Sequence, residues 1–310
     1  MGSDRDLRKK ITVLVNSCDA YEDLWLPFFS LFKKYFPIDA QIILNCESKD
    51  ISVDGLDIKC IHPPRSDYPY GKRMRHVLKQ IDTEYVLLLL DDFFLRSPVD
   101  LQHLHNIIEW MDAAPDIACF NSEATTVYKD LDLDKYPGFR RIPAGNRYTL
   151  NMQAAVWRTK ALAKYWRPNV SPWEWELYCN ALTTKYPRDK FYCAAREGRP
   201  YIDYGHYHSG DLWGIVKGKW FVPDVGPFFE KEQIQIDLSK RGAYLPTANT
   251  TGMPSEHRFA HYHRIYRCLG LWDTIKYFFF CRVCWIKKKL GRSVQANYFT
   301  FLLEKAQRRS

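Results

Sequence analysis

The segment Glu84–Phe94 constrains the fold more than any other part of the sequence, and it reads Glu-Tyr-Val-Leu-Leu-Leu-Leu-Asp-Asp-Phe-Phe. Five consecutive aliphatic residues follow Tyr85, so polar and apolar residues do not alternate. A strand with this composition must be buried on both faces, as in the centre of a parallel sheet. The segment therefore predicts a central parallel strand.

Two adjacent carboxylates, Asp91 and Asp92, follow this strand directly. Ligands of open α/β sheets bind at the carboxyl ends of the strands, which is where the pair would lie. Because neighbouring carboxylates repel each other, the pair predicts a site for Mg²⁺ or Mn²⁺ that carries a diphosphate. The alternative is a site without a ligand, in which Asp92 caps or bends the exit loop and Asp91 is solvated.

Hydrophobic periodicity along the chain alternates between strand and helix patterns. The predicted strands are 11–17, 41–46, 57–61, 85–90, 117–121 and 151–157, and the predicted helices end at 36 or span 71–81, 101–113 and 159–166. This order predicts an α/β fold of the GT-A-like, doubly wound type, with a mostly parallel central sheet flanked by helices. We expect a catalytic domain at 1–225 and a basic, amphipathic helical extension at 226–310. Within the first domain, 123–149 is predicted to be rich in loops and 200–225 to form a loop over the active site.

The loop after the first predicted strand lacks the glycines of phosphate-binding motifs. Neither GxGxxG nor GxxxxGK[ST] occurs there, since the loop reads Asn-Ser-Cys-Asp-Ala-Tyr from Asn16. Phosphates are therefore not expected to bind a helix N-terminus at this turn. A metal at a later strand would have to hold them, which again indicates Asp91 and Asp92.

Composition excludes several classes of protein. The 310 residues are 46% hydrophobic, which excludes general disorder, and the aromatic content of 15% suits stacking on sugars or bases. Nine irregularly spaced cysteines indicate reduced thiols in a cytosolic protein. Met1–Lys10 is charged and unlike a signal peptide. Since no apolar stretch reaches about 18 residues, no transmembrane helix is expected.

Three segments together resemble nucleotide-sugar-dependent glycosyltransferases of the GT-A fold, particularly bacterial enzymes of polysaccharide and lipopolysaccharide assembly. The segments are Val13–Asp19, Tyr85–Phe94 and Ser171–Glu176. The resemblance covers roughly residues 10–225. It differs in the acidic motif, which reads Asp-Asp-Phe here and Asp-x-Asp in the family, so either carboxylate could be the direct metal ligand.

The resemblance implies a role for each segment. The loop of the first strand, with Ser17 and Asp19, would hold the nucleoside. Asp91 and Asp92 would hold Mn²⁺ or Mg²⁺ on the diphosphate, and the start of a later helix would supply the general base. The donor is a nucleotide sugar, expected to be UDP-linked, and the acceptor is a glycan or a lipid-linked glycan.

Glycosyl transfer also needs positive charge near the leaving phosphate, because negative charge grows there. Lys72 and Arg73 lie at the start of the predicted helix before the acidic strand and could approach the diphosphate. A solvated basic helix face is the alternative for both residues.

Two glutamates compete for the role of general base. Ser-Pro-Trp-Glu at 171–174 fits a capping box, in which Glu174 reaches back to the amide of Ser171. Glu176 points to a different side of the helix and has no such structural role. We therefore expect Glu176 to be the base, with Glu174 second. Trp173 and Trp175 could stack on an acceptor sugar, or both could be core residues.

A later segment offers a possible third metal ligand and a basic loop. Some GT-A enzymes carry a late metal-binding His and a flexible basic loop that closes over the donor. The resemblance implies His208 or His206 for the first role and Lys217 or Lys219 for the second. A hydrogen-bonded structural His is the alternative.

The positive charge of the chain is concentrated in its last residues. The net charge is +9, and the residues from Tyr277 onward hold eight Lys or Arg and one acid. Aromatic residues precede and accompany these charges in Leu269–Leu290, a pattern typical of a helix in a bilayer interface. We expect a cytoplasmic protein that binds the anionic inner face of the plasma membrane. The alternative is a helix packed on the core.

Two other functions are compatible with parts of the sequence. A nucleotidyltransferase shares the sheet and the Mg²⁺, but it would need a glycine-rich first loop with a basic residue. A non-catalytic nucleic-acid binder could use the basic tail. Because the charge is confined to one end, no nucleic-acid partner is expected.

Overall fold

The computed structural model describes residues 4–36, 38–122, 135–146, 148–195, 201–203, 214–245, 258–276, 278–279 and 282. The strands are β1 (Ile11–Asn16), β2 (Gln41–Asn45), β3 (Ile58–Ile61), β4 (Tyr85–Leu90), β5 (Ile117–Asn121), β6 (Phe139–Ile142), β7 (Ala155–Arg158), β8 (Lys190–Ala194), β9 (Ile215–Val216) and β10 (Lys219–Trp220). The helices are α1 (Asp4–Lys10), α2 (Glu22–Tyr35), α3 (Tyr70–Leu78), α4 (Leu101–Ala113), α5 (Thr159–Tyr165), α6 (Pro172–Tyr178), α7 (Val222–Lys231) and α8 (Arg258–Leu269).

Eight strands form one sheet in the order β3-β2-β1-β4-β7-β5-β8-β6. The pairs β3–β2, β2–β1, β1–β4 and β5–β8 are parallel, and β7 and β6 are antiparallel to their neighbours. Helices cover both faces of this sheet. The prediction of an α/β fold with a mostly parallel central sheet is confirmed.

The central strand β4 is buried on both faces, as its composition predicts. Leu87 and Leu89 belong to the core on one side, where α2, α4 and α7 pack. Val86 and Leu88 belong to the core on the other side, where α3, α5, α6 and α8 pack. Side chains that alternate between two apolar layers explain why the strand has no polar positions.

Strand register brings four chain segments to one edge of the sheet. Asn16 pairs with both Asn45 and Leu90, so the loops after β1, β2 and β4 begin side by side. Since β7 is antiparallel to β4 and Ala155 pairs with Leu88, the segment before β7 lies beside the end of β4. The residues after β4 are therefore surrounded by three other loops.

Several elements differ from the sequence-based expectations. β6 lies in the segment predicted to be loop, and the β9–β10 hairpin and the start of α7 lie within 200–225. β8 has no counterpart among the predicted strands. The expected domain boundary after 225 falls inside α7, whose Val225 and Phe229 belong to the main core.

In the described part of the C-terminal region, the helical structure is interrupted at a position that the sequence did not predict. α8 packs on α6 through the buried Ile265 and Cys268 and ends at Leu269, and Gly270, which follows it, has φ +84°. Residues 271–276 are again helical, and Leu271 and Trp272 are exposed. No helix in the described ranges is long and apolar enough to cross a membrane.

Candidate functional site

The acidic pair lies at the carboxyl edge of the sheet and is largely withdrawn from water. Asp91 is 4% exposed and accepts a hydrogen bond from the hydroxyl of Ser17, which in turn accepts one from the Trp25 indole at 2.6 Å. Burial, and then the charge of Asp92, hold the pKa of Asp91 well above its ordinary value. Burial also raises the pKa of Asp92 to about 6, while the nearby Arg241 lowers it. The pair therefore ionises less readily than exposed carboxyls do, and a nearby cation would favour its ionised form.

The loop after β1 is fixed to its neighbours by backbone and side-chain hydrogen bonds. The amide of Ser17 donates to the Asn45 carbonyl at 3.0 Å. The buried Arg73, on α3, donates to the Ser17 carbonyl at 2.7 Å and forms an ion pair with Glu47. Arg73 thus lies beside the loop after β1, and these contacts already occupy part of its guanidinium.

Asp19 has a structural role in the described site. Its carboxylate accepts hydrogen bonds from the three successive backbone amides of residues 47–49, at 3.0 to 3.3 Å. The hydroxyl of Ser48 donates to the other carboxylate oxygen at 2.5 Å. Asp19 therefore holds the loop after β2 against the loop after β1, and its contribution to a nucleotide site would be to shape it.

Glu176 lies at the same edge of the sheet as the acidic pair. Its carboxylate accepts a hydrogen bond of 2.7 Å from the backbone amide of Met152, in the segment before β7. Burial raises the pKa of Glu176 to about 7; the Met152 hydrogen bond lowers it and the charge of Asp92 raises it. A carboxylate with a pKa near neutrality can accept a proton during turnover.

Glu174 is occupied by structural contacts. The capping box predicted from the sequence is confirmed: the Glu174 carboxylate accepts from the Ser171 amide at 2.8 Å, and its own amide donates to the Ser171 hydroxyl at 3.3 Å. Arg267 of α8 forms an ion pair with the same carboxylate. These contacts tie α8 to the start of α6.

The two tryptophans of α6 occupy opposite environments. Trp175 is fully buried, stacks on Trp166 with ring centres 4.6 Å apart, and donates to the Tyr165 carbonyl at 3.2 Å. Trp173 is 73% exposed. The expectation that Trp175 stacks on an acceptor is corrected, because its ring stacks on Trp166 and its indole N–H already donates to Tyr165, so both are used within the core. Trp173 remains exposed.

The remaining basic candidates are not gathered at the acidic pair. Lys72 is exposed, and its ammonium lies 5.7 Å from the ring centre of Tyr68. Lys217 and Lys219 are exposed on the β9–β10 hairpin. His206 and His208 lie outside the described residues.

Arg241 is a further basic residue near the acidic pair, and it is not among the residues predicted from the sequence. Its guanidinium binds both carboxylate oxygens of Asp23, donates to the Ala20 carbonyl at 2.9 Å and to the Gly218 carbonyl at 3.1 Å, and lies 4.6 Å from the ring centre of Tyr21. It thereby joins the hairpin to the loop after β1 and places a positive charge near Asp92. The sequence around Arg241 carries no motif, so only tertiary contacts reveal it.

Gly214, which leads into the hairpin, packs directly against the end of the acidic segment. A Cβ at this position would lie 2.4 Å from the ring of Phe94 and 3.1 Å from the Asp92 carbonyl oxygen. Only glycine allows this close approach, which brings the hairpin over the acidic pair.

Three carboxylates from two elements, Asp91, Asp92 and Glu176, lie at this edge of the sheet, and the charge of Asp92 acts on Glu176. Within the described ranges, no group of three or more His, Cys, Asp or Glu side chains is arranged to hold a metal ion. Asp91 and Asp92 could still bind Mg²⁺ or Mn²⁺ together with substrate oxygens, since such ions need only one or two protein carboxylates. Asp91 and Asp92 can therefore hold a cation, and Glu176 can accept a proton.

No family model and no curated protein matches this chain. Among solved structures, S. aureus TarS is similar at 13% identity and a TM-score of 0.40, over 60% of this chain and 36% of TarS. TarS 1–349 in complex with UDP is similar at 13% identity and a TM-score of 0.41, over 62% of this chain and 59% of that one. A mycobacterial protein is similar at 10% identity and a TM-score of 0.39, over 67% and 75%. The chain thus aligns with less than two thirds of either TarS chain.

Proposed function

We propose that this protein is a metal-dependent glycosyltransferase that moves a sugar from a nucleotide-sugar donor to a glycan or glycolipid acceptor. One observation carries the proposal: Asp91 and Asp92 follow a central parallel strand at the same edge of the sheet as Glu176, whose pKa is raised to about 7. A metal site for a diphosphate and a base for an acceptor hydroxyl are the two parts that glycosyl transfer requires.

The residues at the acidic pair fit Mn²⁺ or Mg²⁺. Carboxylate oxygens are the ligands that these hard cations prefer. Burial is the main cause of the raised pKa values of Asp91 and Asp92, and a bound dication would favour the ionised form of both groups. Asp92 is the better candidate for direct binding, because Asp91 already accepts from Ser17. A bound cation would neutralise negative charge on the departing diphosphate. His208 remains a candidate for a further ligand.

Glu176 would act as the base. The Met152 amide holds one of its carboxylate oxygens, which leaves the second oxygen to accept the proton of an acceptor hydroxyl. Trp173, exposed on the first turn of the same helix, would provide a stacking surface for the acceptor sugar.

Three groups would bind the donor around these carboxylates. The loop containing Ser17 and Asp19 would contact the nucleoside, and Arg73 would hold that loop in place. Lys217 and Lys219, on the hairpin above the site, would approach the diphosphate. Lys72 would contribute only through a change of its side-chain orientation, since it now lies over Tyr68.

The acceptor would be presented at an anionic membrane surface, to which the C-terminal region binds peripherally. The helical residues 271–276 expose Leu271 and Trp272, and Phe279 further on is 62% exposed. Apolar residues followed by the basic sequence at 287–292 suit reversible binding to anionic lipid.

Calorimetric titration with UDP-, GDP-, CMP- and TDP-sugars, each with and without Mn²⁺, tests the proposal. UDP-GlcNAc is the first donor to try, because TarS 1–349 has been solved in complex with it. We expect saturable binding of one nucleotide class that weakens when Mn²⁺ is replaced by EDTA. Failure of all four classes to bind in the presence of Mn²⁺ would exclude the proposed activity.

A further inference from the structure

Tyr70, the first residue of α3, places a buried hydroxyl at the site without giving it a partner. The oxygen has no hydrogen-bond partner among the residues that the structure describes. A buried hydroxyl that lost its water on folding and gained no partner destabilises the protein. Such a group is expected where a ligand completes the hydrogen bond.

Contacts through Arg73 place Tyr70 beside the loop after β1: the Arg73 guanidinium lies over the Tyr70 ring and donates to the carbonyl of Ser17, whose hydroxyl donates to Asp91. Burial raises the pKa of Tyr70, the positive charge of Arg73 lowers it, and the negative charges of Asp91 and Glu176 raise it further. The hydroxyl is thus within electrostatic reach of both the acidic pair and the candidate base.

The ring of Tyr70 is held so that its hydroxyl has a defined position. Its centre lies 5.5 Å from that of Trp166, and the guanidinium carbon of Arg73 lies 5.1 Å from it. The next residue, Gly71, approaches the backbone so closely that a Cβ there would lie 2.0 Å from the Arg167 carbonyl oxygen. The start of α3 therefore cannot shift easily, and the hydroxyl is preorganised.

A second polar atom at this edge of the sheet is also buried without a hydrogen-bond partner among the described residues. The side-chain oxygen of Gln153 is buried and has no partner within the described ranges, and Gln153 follows Met152, whose amide binds Glu176. An unpaired donor at the start of α3 and an unpaired acceptor in the segment before β7 match a ligand with several hydroxyl groups. A sugar hydroxyl can accept from Tyr70 and donate to a carboxylate, whereas a phosphate oxygen can only accept.

We propose that the Tyr70 hydroxyl is a sugar-binding group that donates a hydrogen bond to a hydroxyl oxygen of the transferred sugar. This inference rests on the proposed function and assigns to Tyr70 a part in choosing the sugar. The nucleotide and the diphosphate are bound by other residues.

The variant Tyr70→Phe removes only the hydroxyl, and calorimetry with two probes in Mn²⁺ tests its role. Affinity for the UDP-hexose that the wild type binds most tightly should fall about tenfold, the loss typical of one hydrogen bond. Affinity for UDP, which lacks the sugar, should not change. The melting temperature without ligand should stay the same or rise, because an unpaired buried hydroxyl has been removed.

Tyr85→Phe is the matched control. The Tyr85 hydroxyl donates to Asp112 at 2.6 Å, at the start of β4 and thus at the opposite edge of the sheet. This variant should melt at a lower temperature and bind both probes as the wild type does.

Three results would overturn the inference. A lower melting temperature for ligand-free Tyr70→Phe would reveal an internal partner for the hydroxyl. An equal loss of affinity for UDP and for UDP-hexose would show that the contact is made to the nucleotide. Unchanged affinity for UDP-hexose would show that Tyr70 makes no such contact. If the wild type binds no nucleotide sugar, the proposed function itself fails and the inference fails with it.

Discussion

The carboxylate of Glu176 accepts a hydrogen bond of 2.7 Å from the backbone amide of Met152. This bond joins α6 to the segment before β7, which lies beside the end of β4 because β7 is antiparallel to it. Glu176 is 84 positions beyond Asp92 in the sequence, and yet the charge of Asp92 raises its pKa. One inserted antiparallel strand thus brings the candidate base to the candidate metal site.

Asp92→Asn should abolish Mn²⁺-assisted binding of the donor and leave the fold intact. The change removes a charge and little volume, and it relieves repulsion with the buried Asp91. Calorimetric titration with a UDP-sugar and Mn²⁺ measures the effect, and a thermal melt checks the fold. Donor affinity equal to that of the wild type would contradict the metal assignment.

Glu176→Gln should lower turnover by a factor of about 10² to 10⁴ with nearly unchanged donor affinity, because a base acts on the acceptor in the transition state. Its matched control is Glu174→Gln, two residues away on the same helix. That variant loses charge from the capping box and the Arg267 pair, so it should cost about 1 kcal/mol of stability and keep most activity. If Glu174→Gln loses activity and Glu176→Gln keeps it, then Glu174 is the base and Glu176 has the structural role.

The contribution of Glu176 and Asp92 to stability without metal should decrease as pH rises from about 5 to 8. Glu176 and Asp92 have pKa values near 7 and 6 when folded, above their ordinary values, so the folded state binds more protons than the unfolded state within this interval. Their contribution is complete at low pH and is lost as they ionise. In denaturant unfolding with EDTA, the free energy of unfolding of Glu176→Gln, measured relative to that of the wild type, should rise by about 2 kcal/mol or less between pH 5 and pH 8. A difference in unfolding free energy that stays constant with pH would show that the pKa of Glu176 is not raised.

Arg241→Ala should destabilise the protein by about 3 kcal/mol or more, because it leaves the carboxylate of Asp23 buried without its bidentate partner. The double variant with Asp23→Ala should lose less than the sum of the two single variants. Urea unfolding of the four proteins gives the coupling free energy. Additive effects would mean that the pair does not hold the hairpin to the first loop.

Binding to anionic vesicles should depend on the exposed aromatic residues after Gly270. Deletion of the chain after Gly270, or the double variant Trp272→Ser and Phe279→Ser, should abolish co-sedimentation with phosphatidylglycerol vesicles and leave donor binding intact. High salt should weaken binding of the wild type, as should Lys287–Lys289→Ala, though less than the deletion.

The control for vesicle binding is Leu26→Ser, at a leucine that is 62% exposed on α2 and so similarly apolar but elsewhere on the surface. It should sediment as the wild type does. If the wild-type protein does not bind the vesicles, or if the truncated protein unfolds, the reason to expect a lipid-linked acceptor is removed.

Local patterns determined the elements around the acidic pair. A run of aliphatic residues can only be a strand buried on both faces, and β4 is such a strand. The capping box of α6 also follows from four adjacent residues, and it correctly marked Glu174 as a structural residue. These features could be read from the sequence because their physical causes lie within one turn or one strand.

Tertiary structure alone decided which distant residues meet. Trp173 and Trp175 are indistinguishable by sequence, but the packing of α6 on Trp166 buries one and exposes the other. Arg241 and Tyr70 belong to no motif, and their place at the site comes from the fold of the hairpin and from the close approach of α3 to the backbone near residue 167. Long-range contacts of this kind depend on strand order, which local propensity does not encode.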